Sequence, residues 1–149
     1  MMKEKVQNIF VKGAISPVFI GEKIGAHQSK TGIGGHSIFL GQVRADIIEN
    51  KQVIAVDYTS YEPMALEQMA GIRNMIIHKY SLSCMHVYHS LGKIASGEIC
   101  LFVFTSAPHR KAAIDACSET VERLKAELPI WGREIFGDDS FEWKINQPA

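Results

Sequence analysis

The sequence lacks the features that mark several large classes of protein. Its three cysteines are an odd number without a CxxC pair, which argues against a disulfide framework and against a structural zinc site. Sixteen basic side chains balance sixteen acidic ones, so the basic excess of a typical nucleic-acid-binding protein is missing. No apolar run reaches the roughly 18 residues of a membrane-spanning helix, and residues 1–5 lack the apolar segment of a signal peptide. We therefore expect a cytoplasmic protein that binds neither nucleic acid nor membranes.

The short motifs of common cofactor sites are also missing. The chain has no GxGxxG, P-loop, GxSxG or HExxH sequence, and we expect no cofactor. Cys84 and His86 share one face of a predicted strand, but the sequence shows no third ligand beside them, so we expect no metal site. The composition, 46% apolar and 21% charged, is typical of a globular protein, and the length fits one domain over residues 1–149.

Hydrophobic periodicity predicts the main helices and strands. Strands are predicted over residues 36–44, 52–61, 84–91 and 98–106, and helices over residues 62–79 and 109–128. The order strand-strand-helix-strand-strand-helix indicates an α+β fold with a mostly antiparallel sheet and two main helices.

Local signals predict finer features of this fold. The polar connection at 46–51 favours a hairpin between the first two strands, the second of which places Ile54, Val56 and Tyr58 on one face. The apolar run at 101–104 predicts a central strand buried on both faces. A short helix is predicted over 19–24, and an irregular tail over 130–149. The apolar stripe of the second helix is predicted to be Ile114, Cys117, Val121, Leu124 and Leu128.

Basic residues at three places suggest an anionic substrate. Arg44 ends the first strand, and His109 and Arg110 stand at the first turn of the second helix, where free N–H groups favour an anion. Lys125 lies about 60° from the middle of the predicted apolar stripe at 100° per residue, shortly before Arg133 and its neighbours in the segment 129–134. Each of these side chains has an equally simple explanation as a solvated surface group, and the spacing leaves both explanations open.

The order and surroundings of these residues resemble the family of large, catalytic subunits of molybdopterin synthase. The resemblance runs from about residue 36 to residue 143, and the ordered set is more specific than any one piece. The matching pieces are FLGQVR (39–44), YEPMA (61–65), HSLGKI (89–94) with GE (97–98), TSAPHRKAA (105–113), LK (124–125) and PIWGRE (129–134).

The resemblance implies an activity, a partner and a set of site residues. The family converts cyclic pyranopterin monophosphate to molybdopterin, and its sulfur comes from a thiocarboxylate at the Gly-Gly C terminus of a small ubiquitin-like carrier subunit. A thiocarboxylate is itself a nucleophile, so no protein cysteine is required. By this resemblance Lys125 is the catalytic residue. The substrate-binding residues would be Gln42, Val43, Arg44, His109, Arg110, Arg133 and Glu134.

Departures from the family pattern keep a second function open. Many members have a lysine directly after the tryptophan of the PIW motif, where this chain has Gly132. Ser90 stands where an arginine often follows the histidine, and Pro108 is an extra residue before His109. A catalytically impaired relative that binds the carrier or a pterin without turnover is therefore the alternative. A small regulatory ligand-binding domain is a third possibility, supported only by the general pattern of helices and strands.

The spacing on the second helix bears on assembly. Arg110 and Lys125 are fifteen residues apart, about 22 Å along an unbroken helix, which is too far for both to touch one small pterin. If both serve one substrate, we expect a homodimer in which each site combines Lys125 of one chain with His109 and Arg110 of the other. The resemblance implies the same plan, a homodimer of large subunits within a heterotetramer that has one carrier at each end.

Overall fold

The computed structural model describes residues 7–144 of the chain. Residues 1–5, on which the expectation about a signal peptide rests, and the last part of the predicted irregular tail lie outside the described residues. In the described part, no helix is long and apolar enough to cross a membrane. The elements in chain order are β1 (Phe10–Lys12), α1 (Pro17–Gly25), β2 (Gly35–Gln42), β3 (Ile47–Ile48), β4 (Lys51–Ser60), α2 (Glu62–Tyr80), β5 (Cys84–Ala95), β6 (Ile99–Ala107), α3 (Arg110–Glu127), β7 (Ile130–Phe136) and β8 (Phe141–Trp143).

The α+β fold with a mostly antiparallel sheet is confirmed. The strands follow the order β2-β6-β5-β4-β7-β8, with β1 beside β5 and β3 beside β4. All of these pairs are antiparallel except β1 with β5. The two predicted main helices are α2 and α3, and the predicted short helix is α1.

Strand β5 joins the two halves of the sheet. Residues 84–89 pair with β6, whereas residues 92–95 pair with β4. Gly92, at the change of partner, has a φ of +90°, a conformation that glycine adopts without the steric cost of a Cβ atom. The change of partner lets one strand belong to both halves.

Apolar side chains cover the sheet on both faces. A large core lies between the sheet and helices α2 and α3, and a smaller one, which includes Ile20 of α1, lies on the other face. Strand β6 contributes to both cores, because Val103 is buried in the first while Phe102 and Phe104 are buried in the second. The expectation of a central strand at 101–104 is therefore confirmed.

The predicted hairpin between the first two strands is wrong. Strand β2 pairs with β6 rather than β4, and β4 forms a much shorter hairpin with β3. Glu49 and Asn50, between β3 and β4, have φ values of 49° and 64°, which suit the two-residue turns that close hairpins. The polar connection thus contains a complete hairpin of its own, and the first strand is free to pair far along the chain.

Two further expectations about strands need correction. Ile54 is 40% exposed while Val56 is buried, because the register of β4 against β7 shifts between Val53 and Ala55 and leaves one extra residue. The tail that was expected to be irregular instead forms β7 and β8 up to Trp143. Its charged residues are compatible with strands because they pair across the sheet, as Arg133 does with Asp57.

The buried face of α3 differs from the predicted stripe. Ile114 is 53% exposed, whereas the smaller Ala113, Ala116 and Thr120 are fully buried against the sheet. Small side chains let the helix approach the sheet closely, which turns the buried face away from Ile114. At about 100° per residue, Lys125 then lies about 110° from the middle of this face, and it is exposed.

Ser90 provides a test of how this interior is built. Ser90 and Ser106 are both 0% exposed, but Ser106 Oγ lies 2.7 Å from His36 Nδ1, while Ser90 Oγ has no hydrogen-bond partner among residues 7–144. We expect Ser90→Ala to keep or raise the free energy of unfolding, because a buried, unsatisfied hydroxyl is removed. Ser106→Ala, the matched control, should lower it by about 1 kcal/mol. Chemical denaturation of both variants measures the difference, and an equal loss in both would contradict the assignment.

Candidate active site

A pocket opens between the C-terminal end of α3 and the strands at the junction of the two half-sheets. Its volume is about 150 Å³. Its lining includes two lysines, and no carboxylate is found among the described residues that form it. The lining residues are Gly41, Gln42, Tyr58, His89, Cys100, Leu101, Leu124, Lys125, Leu128, Ile130, Trp131, Gly132 and Lys144.

The turn between α3 and β7 sets the position of Lys125. Helix α3 ends at Glu127 and the chain turns at Leu128, whose backbone is extended, directly before Pro129. The carbonyl of Pro129 accepts hydrogen bonds from Ser60 Oγ at 3.0 Å and from the Tyr61 backbone N–H at 3.2 Å. The turn is therefore fixed to the end of β4 and the start of α2, and it brings Lys125 and the half-exposed Trp131 to the same pocket.

His89 is a neutral histidine in the wall of the pocket. Its Nδ1 lies 2.7 Å from the carbonyl oxygen of Ser90, and since a carbonyl only accepts, Nδ1 carries the proton and Nε2 a lone pair. Burial, together with the positive charges of Lys125 and Lys144, lowers the pKa of His89 from 6.5 to about 4. The imidazole therefore stays uncharged at neutral pH and can accept a hydrogen bond.

Tyr58 packs edge-on against His89, with ring centroids 5.0 Å apart. Its hydroxyl donates to Cys100 Sγ at 3.7 Å. Burial raises the pKa of Tyr58 well above its ordinary value of 10, so the phenol remains protonated. The pocket thus combines two cationic side chains with neutral polar groups, an arrangement that attracts a small anion.

Lys144 is a pocket residue that the sequence analysis did not identify. Its backbone N–H donates to the Gly132 carbonyl at 2.8 Å, just beyond the end of β8. The alternation of Phe141 and Trp143 before it is the signal that would have predicted a strand here. Without the pairing of β8 with β7, nothing in the sequence connects position 144 to Lys125.

Three of the predicted substrate-binding residues follow one another at the end of β2. Gln42 lines the pocket. Val43 is 2% exposed, and its backbone bonds to Glu98 and Gly97 at 3.0 and 2.8 Å. The Arg44 side chain is 76% exposed and pairs with Asp46 at 3.3 Å. The chain therefore turns from the pocket into the interior and then into solvent within three residues.

The remaining predicted residues lie outside this pocket. His109 and Arg110 stand at the other end of α3, which runs unbroken to Glu127. The Arg133 guanidinium binds Asp57 at 3.0 Å and lies 4.5 Å from the centre of the Phe141 ring. Glu134, on the same strand, is half-buried, and burial raises its pKa. Within one chain, the structure brings Lys125 together with Gln42 but not with His109 or Arg110.

Comparisons with known proteins show which family and fold this chain resembles. A family model described as MoaE protein matches residues 16–127. A molybdopterin synthase catalytic subunit from Drosophila willistoni is 40% identical over 120 residues, which cover 79% of this chain but 32% of that protein. The chain therefore spans about a third of the length of this relative.

Solved structures show the same fold. The crystal structure of molybdopterin synthase from Staphylococcus aureus superposes with a TM-score of 0.81 and 27% identity, covering 98% of this chain and 100% of that one. A complex of subunits 1 and 2 of molybdopterin-converting factor from Helicobacter pylori matches at 18% identity with a TM-score of 0.72, over 90% of this chain and 87% of that one.

The position of Lys125 can be tested through the titration of His89. The folded chain holds the pKa of His89 at about 4, so between pH 6.5 and 4 the unfolded chain binds a proton that the folded chain does not. His89 therefore destabilises the fold as the pH falls through this window. We expect Lys125→Met to raise the pKa of His89, because one of the two nearby positive charges is lost.

Histidine NMR titration measures this change. Lys111→Met is the matched control, because Lys111 stands on the same helix but pairs with Asp115 in solvent. An unchanged pKa of His89 in Lys125→Met would place the ammonium group away from the pocket.

Proposed function

The chain belongs to the MoaE protein family, and on that premise we propose that it is the catalytic subunit of a molybdopterin synthase. It would act in the cytoplasm, converting cyclic pyranopterin monophosphate to molybdopterin. Its sulfur would come from the thiocarboxylate at the Gly-Gly C terminus of a small ubiquitin-like carrier. The observation that carries the proposal is the pocket in which Lys125 and Lys144 meet neutral His89 and Tyr58.

The size of the pocket supports a peptide tail as its occupant. Its volume of about 150 Å³ is below the roughly 300 Å³ at which pockets for whole small molecules begin. A Gly-Gly terminus has no side chains and needs little width. The apolar Leu128 and Ile130 and the half-exposed Trp131 can pack against its backbone, while the ammonium groups receive the terminal charge.

The chemistry of the reaction fits these groups. A thiocarboxylate carries its own nucleophilic sulfur, and the three cysteines of this chain are all buried. The protein has to hold the anion, position it against the pterin and supply or accept protons. We assign to Lys125 the binding of the thiocarboxylate and proton transfer at the reacting carbon. His89, neutral and with a free Nε2 lone pair, is suited to accept a hydrogen bond beside it.

Lys144 favours an active enzyme over the impaired relative. The family lysine that is missing at Gly132 would have supplied a second amine, and Lys144 brings one to the same pocket from just beyond the end of β8, beside Gly132. A Cβ atom at Gly132 would lie 3.0 Å from Tyr58 Cε1 and from Val56 Cγ1. A lysine at position 132 would therefore press against Tyr58 and Val56, and we propose that position 144 supplies the amine instead.

The phosphate and the pterin require groups beyond this pocket. We propose that His109 and Arg110 bind the phosphate at the start of α3, with Arg44 and Gln42 as further substrate contacts. Val43, Arg133 and Glu134 are then positioning residues, because Val43 is buried and the Arg133 guanidinium is already bound to Asp57.

A homodimer through β2 would bring the two groups of residues together. Strand β2 pairs with β6 on one side, and residues 7–144 provide no strand for its other side. Ile38, Phe39 and Leu40 are 36–42% exposed along this edge, which is unusual for an edge exposed to water. A second copy of β2, added antiparallel about a two-fold axis, would cover this edge.

The direction of β2 is such that this dimer would bring residues of both chains to each site. Its first residue, Gly35, lies against Arg110, and its last residues, Gly41 and Gln42, line the pocket of Lys125. Antiparallel pairing places the first end of one β2 beside the last end of the other. Arg110 of one chain would therefore approach Lys125 of its partner. Both residues could then contact one substrate, although they are about 22 Å apart along α3 of a single chain.

Substitution of Lys125 tests the catalytic assignment. We expect Lys125→Ala to lower the rate of product formation by at least about 100-fold, the typical effect of losing an acid–base group. Its thermal stability should not change, because the side chain is exposed. The assay uses thiocarboxylated carrier and cyclic pyranopterin monophosphate, and Lys111→Ala is the control on the same helix. Turnover at the wild-type rate in a folded Lys125→Ala protein would refute the assignment.

Carrier binding separates the three functional alternatives. An active synthase binds the carrier and turns over, and an impaired relative binds it without turnover. A regulatory ligand-binding domain does not bind it at all. Calorimetric titration with the carrier, alongside the assay, distinguishes these outcomes.

Mixing two inactive variants tests the shared site. A Lys125→Ala chain and an Arg110→Ala chain should each have little activity as homodimers. Heterodimers of the two contain one intact site, so we expect them to recover up to half of the wild-type rate per dimer. The absence of recovery after verified mixing, or full turnover by a monomer, would contradict the arrangement.

A further inference from the structure

We propose that His27, Cys84 and His86 form a binding site for a zinc-like divalent ion, separate from the pocket of Lys125. The three side chains offer ligand atoms that all lie within 4.8 Å of one another. Cys84 and His86 come from the start of β5, and His27 comes from the turn that follows α1. Their packing partners Phe104 and Tyr88 belong to the sheet face that α1 covers.

The spacing of the two imidazoles matches that of ligands on one ion. His27 Nε2 and His86 Nε2 lie 3.1 Å apart and share one hydrogen bond, whose proton a bound ion would replace. Two nitrogens at about 2.0 Å from one tetrahedral zinc ion are about 3.3 Å apart. A small separation of the rings would therefore admit the ion without a change in backbone.

His27 is already held in the state that a metal requires. Its Nδ1 lies 2.7 Å from the carbonyl oxygen of Lys23, so Nδ1 carries the proton and Nε2 offers its lone pair. A bond from the other ring nitrogen to a carbonyl is the usual support of a metal-binding histidine. The ring also packs on Phe104, with centroids 4.8 Å apart, and the residue is 6% exposed.

The third ligand and its neighbour decide which ion fits. Cys84 Sγ lies 2.7 Å from Lys30 Nζ, and a cysteine binds metal as its thiolate. One thiolate with two imidazoles suits zinc, whereas magnesium and calcium prefer oxygen ligands. Because the lysine is exposed, its flexible side chain can withdraw, and a water molecule can supply a fourth ligand.

The test uses Co²⁺, which occupies tetrahedral zinc sites and absorbs when bound to a thiolate. The full chain is freed of metal with a chelator under reducing conditions and titrated with Co²⁺. We expect one equivalent per chain, a thiolate-to-cobalt absorption band, and its loss when Zn²⁺ is added. Bound Zn²⁺ should also raise the melting temperature.

Variants show whether these residues are the ligands. Cys84→Ser should abolish the band, and His27→Gln and His86→Gln should each weaken the affinity at least about 100-fold, since even supporting residues contribute this much. Cys117→Ser and His78→Gln are matched controls and should keep the band and the affinity. Cooperative thermal unfolding identifies the variants that fold, and the two histidine variants suffice if Cys84→Ser does not.

Two results would overturn the proposal. One is the absence of the band in the folded wild-type chain at saturating Co²⁺, and the other is a band that Cys84→Ser leaves unchanged. Neither result depends on pterin turnover, so the test is independent of the proposed synthase activity.

Discussion

The turn from α3 into β7 is the constraint on which the site depends. Pro129 stops the helix, and its carbonyl is held by Ser60 and Tyr61 from a distant part of the chain. These two hydrogen bonds tie the end of α3 to the junction between β4 and α2. The exposed Lys125 and the half-exposed Trp131 therefore line the same pocket.

The charges around the pocket determine the kind of ligand that it can bind. Two lysines approach a buried histidine whose pKa is lowered to about 4, and the tyrosine beside it stays protonated because burial raises its pKa. Among the described residues that line the pocket there is no carboxylate, although Glu134 lies close enough to interact with Lys144 and Tyr58. In a partly desolvated site these charges interact more strongly with an anion than they would in water. The pocket is thus suited to a negatively charged peptide terminus, as the proposed reaction requires.

The two faces of the sheet divide the proposed functions between them. The larger core supports α3 and the pocket, whereas the smaller core brings His27 from the end of α1 to the start of β5. Alternation along β5 explains the division, because His86 and His89, three residues apart, point to opposite faces. The edge strand β2 runs between two groups of functional residues. Its first end lies against Arg110, and its last end lies at the pocket of Lys125.

The sequence by itself determined the parts of this protein that depend on neighbouring residues. Periodicity predicted α2 and α3, the four longer strands before α3 and the α+β fold, because the repeat of apolar side chains shows which face is buried. The ordered motifs around Arg44, His109 and Lys125 indicated the family, which the match over residues 16–127 shows. Ile54 and Ile114 were placed on the wrong faces, because a bulge in β4 and a row of small side chains on α3 change the burial of single positions.

Only the tertiary structure decided which distant residues meet. Strand β2 pairs with β6 rather than β4, because a strand pattern specifies a buried face but not a partner. Lys144 enters the pocket through the pairing of β8 with β7, and His27 reaches His86 across 59 positions. Contacts of this kind depend on how whole helices and strands pack together. The local sequence around one residue therefore does not predict which distant residue it will contact.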